Sequence, residues 1–207
     1  MEPTFENSNS GSAIIIFVRN PVLGKVKTRL AVTTGEEKAL SIYRELLQYT
    51  FDITESINAD KFVFYADSIS DDDLWTADGF VKRVQSKGNL GCKMKDAFDE
   101  LLNNGYKKVV IIGSDCFELT TVIIDGALKK LDDYDVVIGP AKDGGYYLLG
   151  TKKIFPFLFE NKQWSSDSVY SKTIEDIKTH NLLFHSLEIL TDIDTEEDWL
   201  KSKKNTS

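Results

Sequence analysis

The sequence predicts an α/β fold built on a mainly parallel sheet. Short apolar runs rich in β-branched residues recur along the chain, the mark of strands buried on both faces. Stretches with apolar residues at helical spacing separate them, and strand–helix–strand alternation implies parallel pairing through crossover connections. The size agrees: 207 residues, 42% hydrophobic and 28% charged, suit one domain with a real core. No repeat, low-complexity tract or linker interrupts them.

The first strand is AIIIFV, Ala13 to Val18. Thr34 with Glu37 has capping-box spacing, and Ala39, Tyr43, Leu46 and Leu47 recur behind it at helical spacing. KFVFYA (Lys61 to Ala66) is a second strand, the acidic run Ser70 to Trp75 a surface turn or short helix, and FVKRV (Phe80 to Val84) a short strand. A helix over Lys93 to Leu102 ends at Asn103, Asn104 and Gly105. KVVIIG (Lys108 to Gly113) is the clearest central strand. A helix over Thr121 to Leu131 follows, then strands DVVIG (Asp135 to Gly139) and YYLLG (Tyr146 to Gly150). Ser166 can cap a helix through Lys178, LLFHSL (Leu182 to Leu187) is a late strand, and Thr195 with Asp198 opens a last helix.

Charge narrows the partners. The chain has 25 basic and 33 acidic residues, a net charge of −8. Nucleic acid is therefore not expected, because it needs a basic face. Cys92 and Cys116 form no metal-binding spacing, and Cys116 reads as a reduced, partly buried thiol. With only His180 and His185, a zinc site is not expected, and a metal would be a hard ion on carboxylates, Mg2+ or Mn2+. No apolar run reaches the roughly 20 residues of a membrane span, and no signal peptide is expected at the polar start, so a cytoplasmic location is expected.

In open α/β sheets ligands bind outside the carboxyl ends of the strands, so the residues there carry the functional information. After the first strand comes RNPVLGKVKTRL. Pro21 and Gly24 shape a turn, and Arg19, Lys25, Lys27 and Arg29 gather positive charge against the trend of the chain. Such a cluster can clamp a di- or triphosphate; the alternative is a solvated loop. After the third strand, QSKGNLG offers Gly88 and Gly91 for close backbone approach, with Gln85 and Asn89 able to read a base edge; a plain turn is the alternative. Asp115 follows the central strand, as a metal ligand or a helix cap. Asp143 with Gly144 and Gly145 is a tight turn or a grip on substrate hydroxyls. Five acids crowd Asp192 to Asp198. The last helix accounts for Glu196, Glu197 and Asp198, which leaves Asp192 and Asp194 as a second candidate metal pair. Trp164 is core or the floor of an acceptor pocket.

GKVKTRL, QSKGNLG, IIGSD, GPAKDGGYYLLG and DIDTEED, in this order, resemble a family of bacterial glycosyltransferase-like proteins in the nucleotide-diphospho-sugar transferase superfamily. The likeness spans about Ala13 to Leu200 and extends to phospholactate and molybdenum-cofactor guanylyltransferases. It implies the glycosyltransferase-A fold, a single three-layer α/β/α domain with a mixed, mostly parallel sheet. That places a nucleotide-diphospho-sugar transferase-like domain over 12–202, a disordered arm or expression remnant over 1–11, and a frayed tail over 203–207.

The resemblance also implies roles. Lys25, Lys27 and Arg29 would hold the nucleotide phosphates, with Arg19 and Gly24 added on the residues alone. Gln85, Gly88 and Gly91 would lie near the base, with Asn89 added on the same ground. Asp115 would bind the metal with Asp192 or Asp194. Asp143, Gly144 and Gly145 would meet the second substrate, with Trp164, from the residues alone, core or acceptor floor. Asn89 stands where the family commonly has Asp, and Phe117 where it commonly has Pro.

The activity expected first is metal-dependent glycosyl transfer from a nucleotide-sugar to a small acceptor. The alternative is nucleotidyl transfer from a nucleoside triphosphate to a phosphate or carboxylate, releasing pyrophosphate. A nucleotide-sensing module is the non-enzymatic alternative, and a homodimer is left open.

Overall fold

The computed structural model describes residues 11–77 and 79–205. The expected arm lies outside them except for Gly11, as do residues 206–207 of the expected tail. In chain order the elements are β1 (Ser12–Val18), α1 (Thr28–Thr34), α2 (Glu36–Glu55), β2 (Asp60–Tyr65), β3 (Phe80–Val84), α3 (Leu90–Asn103) and β4 (Lys108–Ile112). They continue with α4 (Thr121–Lys130), β5 (Val136–Pro140), β6 (Tyr146–Thr151), α5 (Val169–Thr179), β7 (Phe184–Ser186) and α6 (Glu196–Asn205). Single 3₁₀ turns cover Leu74–Thr76 and Pro156–Leu158.

All seven strands join one sheet in the order β3-β2-β1-β4-β6-β5-β7. β1 pairs parallel with β2 and β4, β2 with β3, and β5 with β7. β6 runs antiparallel to both β4 and β5, which makes the sheet mixed but mostly parallel. The antiparallel strand follows from the short connection over 141–145, too brief for a crossover.

The apolar runs are continuous because both faces of the sheet are covered. Ile14, Ile16 and Val18 pack on one face with Leu30 of α1, Ile42 and Leu46 of α2, Ile124 of α4 and Trp199 of α6. Ala13 and Ile15 pack on the other with Phe98 and Leu101 of α3 and Ile177 of α5. The result is three layers, α/β/α.

Local expectations differ at three places. The stretch read as a basic loop is partly helical, since α1 begins at Thr28. Thr34 does not cap α2: it ends α1, donating its hydroxyl to the Leu30 carbonyl at 2.9 Å, and Gly35 at φ 84° stands before α2. Ser166 does not cap α5, which starts at Val169; its hydroxyl donates to the Gln163 carbonyl at 2.7 Å. The Thr195–Asp198 box is present in full, with the Thr195 N–H donating to Asp198 at 2.8 Å and the Asp198 N–H to Thr195 Oγ1 at 3.3 Å.

Candidate active site

A cavity of about 670 Å³ opens at the carboxyl ends of four neighbouring strands. Arg19 stands after β1, Ala66 and Asp67 after β2, Gln85 after β3, and Ser114 and Asp115 after β4. That volume is within the usual range for small-molecule sites.

The basic turn forms one wall. Gly24 reaches φ 73°, and a Cβ there would lie 3.3 Å from the Glu36 carboxylate, so glycine serves both the turn and the close approach. Val26 is buried in the core and fixes the turn to the body of the domain. Lys25, Lys27 and Arg29 all line the cavity, but they are not equivalent. Lys25 and Arg29 are exposed, whereas the Lys27 side chain is only 8% exposed. Its Nζ lies 3.0 Å from Asp115 Oδ2 and 3.5 Å from Asp194 Oδ1. Arg29 Nη1 donates to the other oxygen of Asp194 at 3.0 Å. Burial works against the Lys27 charge, but Asp115, Asp194 and Asp192 outweigh it and hold its pKa above the ordinary lysine value.

The backbone brings the acids together. The Ile193 N–H donates to the Asp115 carbonyl at 2.8 Å, and the Thr191 N–H to Glu118 at 2.6 Å, which pins the loop of Asp192 and Asp194 beside the end of β4. Among the described residues Asp192 Oδ1 is buried with no hydrogen-bond partner. Burial first, then the charges of Asp115, Asp143 and Asp194, push the Asp192 carboxyl up to about 8 against the opposing pull of Lys27. The donors are hard oxygens of the kind Mg2+ or Mn2+ takes. Yet among the described residues no three such groups converge closely enough to hold an ion as they stand. Lys27 is wedged between two of them.

Of the expected nucleotide ligands, Arg19, Lys25, Lys27, Arg29 and Gln85 line the cavity, as do Asp115 and Asp194. Gln85 is also tied down, since its amide donates to the carbonyls of Phe64 at 3.0 Å and Val18 at 3.4 Å. Asn89 is the cap of α3, accepting from the Cys92 N–H at 3.0 Å. Gly88 at φ 109° supplies the turn before it. Gly91 is buried, and a Cβ there would lie 2.2 Å from the Phe159 carbonyl and 2.7 Å from the Trp164 indole. Packing therefore accounts for Gly91 and for much of Trp164, which lies against the α3 side of the core.

Asp143 accepts from the Gly145 N–H at 2.8 Å, and Gly144 at φ 89° lies where a Cβ would meet the Asp167 backbone at 2.1 Å. This turn, like Asp192, borders the acids and does not line the main cavity.

Several lining residues carry no sequence signal of their own. Tyr43 of α2 accepts from the Arg19 N–H at 2.8 Å and lies 3.4 Å from the Ser114 hydroxyl, joining the ends of β1 and β4. Asn20 accepts from the Asp67 N–H at 3.3 Å and donates to the Ser68 carbonyl at 2.7 Å, joining β1 to β2. Lys93 adds a cation from α3, and Ser165, at φ 65°, lines the same cavity from the loop before α5. Left-handed backbone at a non-glycine residue is costly and gathers at functional sites; Lys27, at φ 46°, shares it.

Residues 50–166 match the family model described as "Uncharacterized protein conserved in bacteria (DUF2064)". The chain belongs to this family. The DUF2064 match includes Asp115 and Asp143 and stops short of the basic turn and of Asp192 and Asp194. A solved Desulfovibrio desulfuricans G20 protein, named for nucleotide-diphospho-sugar transfer, is 34% identical. It superposes with a TM-score of 0.88 over 96% of this chain and 90% of that one. The 2-phospho-L-lactate guanylyltransferase of Methanocaldococcus jannaschii is 25% identical over 92% of this chain and 82% of its own length. The 4-diphosphocytidyl-2C-methyl-D-erythritol synthase of Anaerococcus prevotii is 13% identical and shares the fold, with a TM-score of 0.63 over 94% of this chain and 95% of that one. The DUF2064 chain is thus a transferase on the nucleotide-diphospho-sugar transferase fold, as its motifs imply. None of its helices among the described residues is long and apolar enough to cross a membrane.

Proposed function

We propose that the protein is a nucleotidyltransferase that takes a nucleoside triphosphate, GTP first among them, and a small acceptor carrying a phosphate or carboxylate. One observation carries the reading. Five cations, Arg19, Lys25, Lys27, Arg29 and Lys93, line a single cavity at the strand ends with Asp115 at its edge. Lys27 and Arg29 are partly engaged by Asp115 and Asp194, and the positive charge that remains, with Arg19, Lys25 and Lys93, matches a triphosphate better than a diphosphate. Glycosyl transfer, the first expectation from sequence, becomes the second reading. The Desulfovibrio relative's name keeps it in view, and the guanylyltransferase relative supports nucleotidyl transfer.

In this reading the acceptor oxygen attacks the α-phosphorus, the bond from that phosphorus to the bridging oxygen breaks, and pyrophosphate leaves. Lys25 and Arg29, both exposed to the cavity, bind and orient the phosphate chain in line for attack. Charge growing on the leaving oxygens meets donors already in place, which lowers the barrier without reorganisation. A divalent ion held by Asp115 with Asp192 or Asp194 would neutralise phosphate charge further. Gln85, held by two backbone carbonyls, presents a fixed edge to the base.

The test is thermal unfolding with each nucleoside triphosphate and common nucleotide-sugar, with and without Mg2+, followed by a pyrophosphate-release assay over small phosphorylated acids. A ligand at 100 times its dissociation constant adds about 2.7 kcal/mol, which raises the melting point of a domain this size by roughly 5–10 °C. A shift with GTP and release of pyrophosphate bears the reading out. A shift confined to nucleotide-sugars, with no pyrophosphate, returns the site to glycosyl transfer.

A further inference from the structure

We propose that Lys27 is the resident cation of the acidic cluster: its ammonium holds the place of the divalent ion, leaves when that ion enters, and swings into the cavity to bind phosphate. This rests on the reading of the site as metal- and nucleotide-binding.

Position is the first ground. A lysine serving phosphate alone needs no carboxylate partner, and Lys25, which also lines the cavity, is exposed. Lys27 has two such partners, with Nζ 3.0 Å from Asp115 and 3.5 Å from Asp194, and its side chain is more buried than either. The same residue also lines the cavity, so one stem serves both places.

Spacing is the second. Mg2+ needs oxygen ligands at about 2.0–2.1 Å, so the carboxylates must draw in by roughly an ångström from where an ammonium holds them. They cannot do so while Nζ stands between them. This explains why the described acids, though adjacent, form no ready ion site.

Satisfaction is the third. Nζ reaches Asp115 and Asp194, while Asp192 Oδ1 stays buried and unpartnered. The cluster has an oxygen that Lys27 does not reach from its place between Asp115 and Asp194, and an ion of higher coordination can use it. Arg29 holds Asp194 through its other oxygen, so that carboxylate keeps a partner during the exchange. The consequence is ordered loading: the ion alone must displace a bound charge, whereas an ion arriving with a nucleotide gives the displaced ammonium phosphate to bind.

Two experiments on the full chain decide it. In the first, the rate at which an amine-reactive ester labels Lys27 is measured by mass spectrometry, in EDTA and in saturating Mn2+ at matched ionic strength. Exposed Lys38 and Lys87 are the references. Mn2+ should speed labelling of Lys27 several-fold and leave the references alone; unchanged labelling overturns the exchange. In the second, Mn2+ affinity without nucleotide is read by electron paramagnetic resonance. Lys27→Met should bind about tenfold or more tighter than wild type, since a unit charge at contact is worth at least that factor near a protein surface. Lys38→Met, which removes the same charge from an exposed position on α2 outside the cavity, should change little. Equal effects of the two variants would show net charge alone at work and overturn the exchange. Should Lys27→Met fail to fold, the labelling of the wild-type chain still decides. If neither protein binds Mn2+, with or without GTP, the metal reading falls and takes the exchange with it; if Mn2+ binds but Lys27 labelling does not respond, the exchange alone falls.

Discussion

Gly91 lies directly beneath Trp164: a methyl group at residue 91 would sit 2.7 Å from the indole and 2.2 Å from the Phe159 carbonyl. The contact joins the first turn of α3 to the loop before α5, two segments that flank the cavity through Leu90 and Ser165. Gly91→Ala should therefore destabilise the fold by about 1–3 kcal/mol through overpacking. At roughly 2–4 °C per kcal/mol, its melting point should fall by about 2–12 °C. A variant that kept its melting point and lost only nucleotide affinity would move Gly91 from packing to ligand contact.

Asp115 anchors Lys27 and is the central acid of the site. Asp115→Asn keeps the shape and removes the charge. Turnover should drop by on the order of 10²- to 10³-fold, the usual cost of one preorganised group at a phosphoryl-transfer site, with the fold retained. Steady-state rates beside a circular-dichroism melt would check both halves. Near-normal turnover would end the assignment.

Tyr43 is a positioning residue. Tyr43 is buried, and its hydroxyl accepts from the Arg19 N–H in a half-buried contact. Tyr43→Phe leaves that N–H without its partner, which costs about 1–3 kcal/mol. The shift of the urea midpoint measures this. Because Arg19 opens the phosphate wall, KM for the nucleotide should rise while kcat changes less.

The Thr195–Asp198 box gives a pH dependence whose sign can be worked out. Burial pushes the Asp198 carboxyl up, but hydrogen bonds from the Thr195 hydroxyl and from the N–H groups of Thr195 and Asp194 outweigh it, so its pKa lies below the ordinary value. A carboxyl lowered by folding stabilises the fold above its unfolded pKa of about 3.9, and the benefit is lost as pH falls through the folded value. Asp198→Ala should cost about 1 kcal/mol at pH 7, and its gap to wild type should be narrower at pH 3 than at pH 7. Denaturant titrations at the two pH values measure the gap.

Much of the fold was legible because its physics is local. β1 and β4 read as strands since burial on both faces demands unbroken apolar runs, and Asp143-Gly144-Gly145 read as a turn since so few residues can do nothing else. The helix α1 was not legible. It has seven residues, fewer than two full turns, and its Thr and Arg residues pointed to a loop. In the site, Lys25, Lys27 and Arg29 are chemically alike along the sequence. Only the partner of Lys27, 88 residues away, makes it a buried ion pair while its neighbours face the cavity. Lys93 and Ser165 were hidden for a similar reason: one reads as the polar face of a helix, the other as a loop serine. Asn89 shows the converse, a residue whose type suited a base contact and whose backbone position makes it a cap.

The pair formed by Arg29 and Asp194 spans 165 residues of chain. During synthesis the basic turn therefore emerges long before the acid that meets it. A ribosome paused between residues 187 and 191 would carry all seven described strands and all five cavity cations, but neither Asp192 nor Asp194. Such a nascent chain could gather phosphate nonspecifically yet lack part of the acidic wall. Fragments clipped before Asp192 should behave the same way, so any activity would report chains that extend past Asp194.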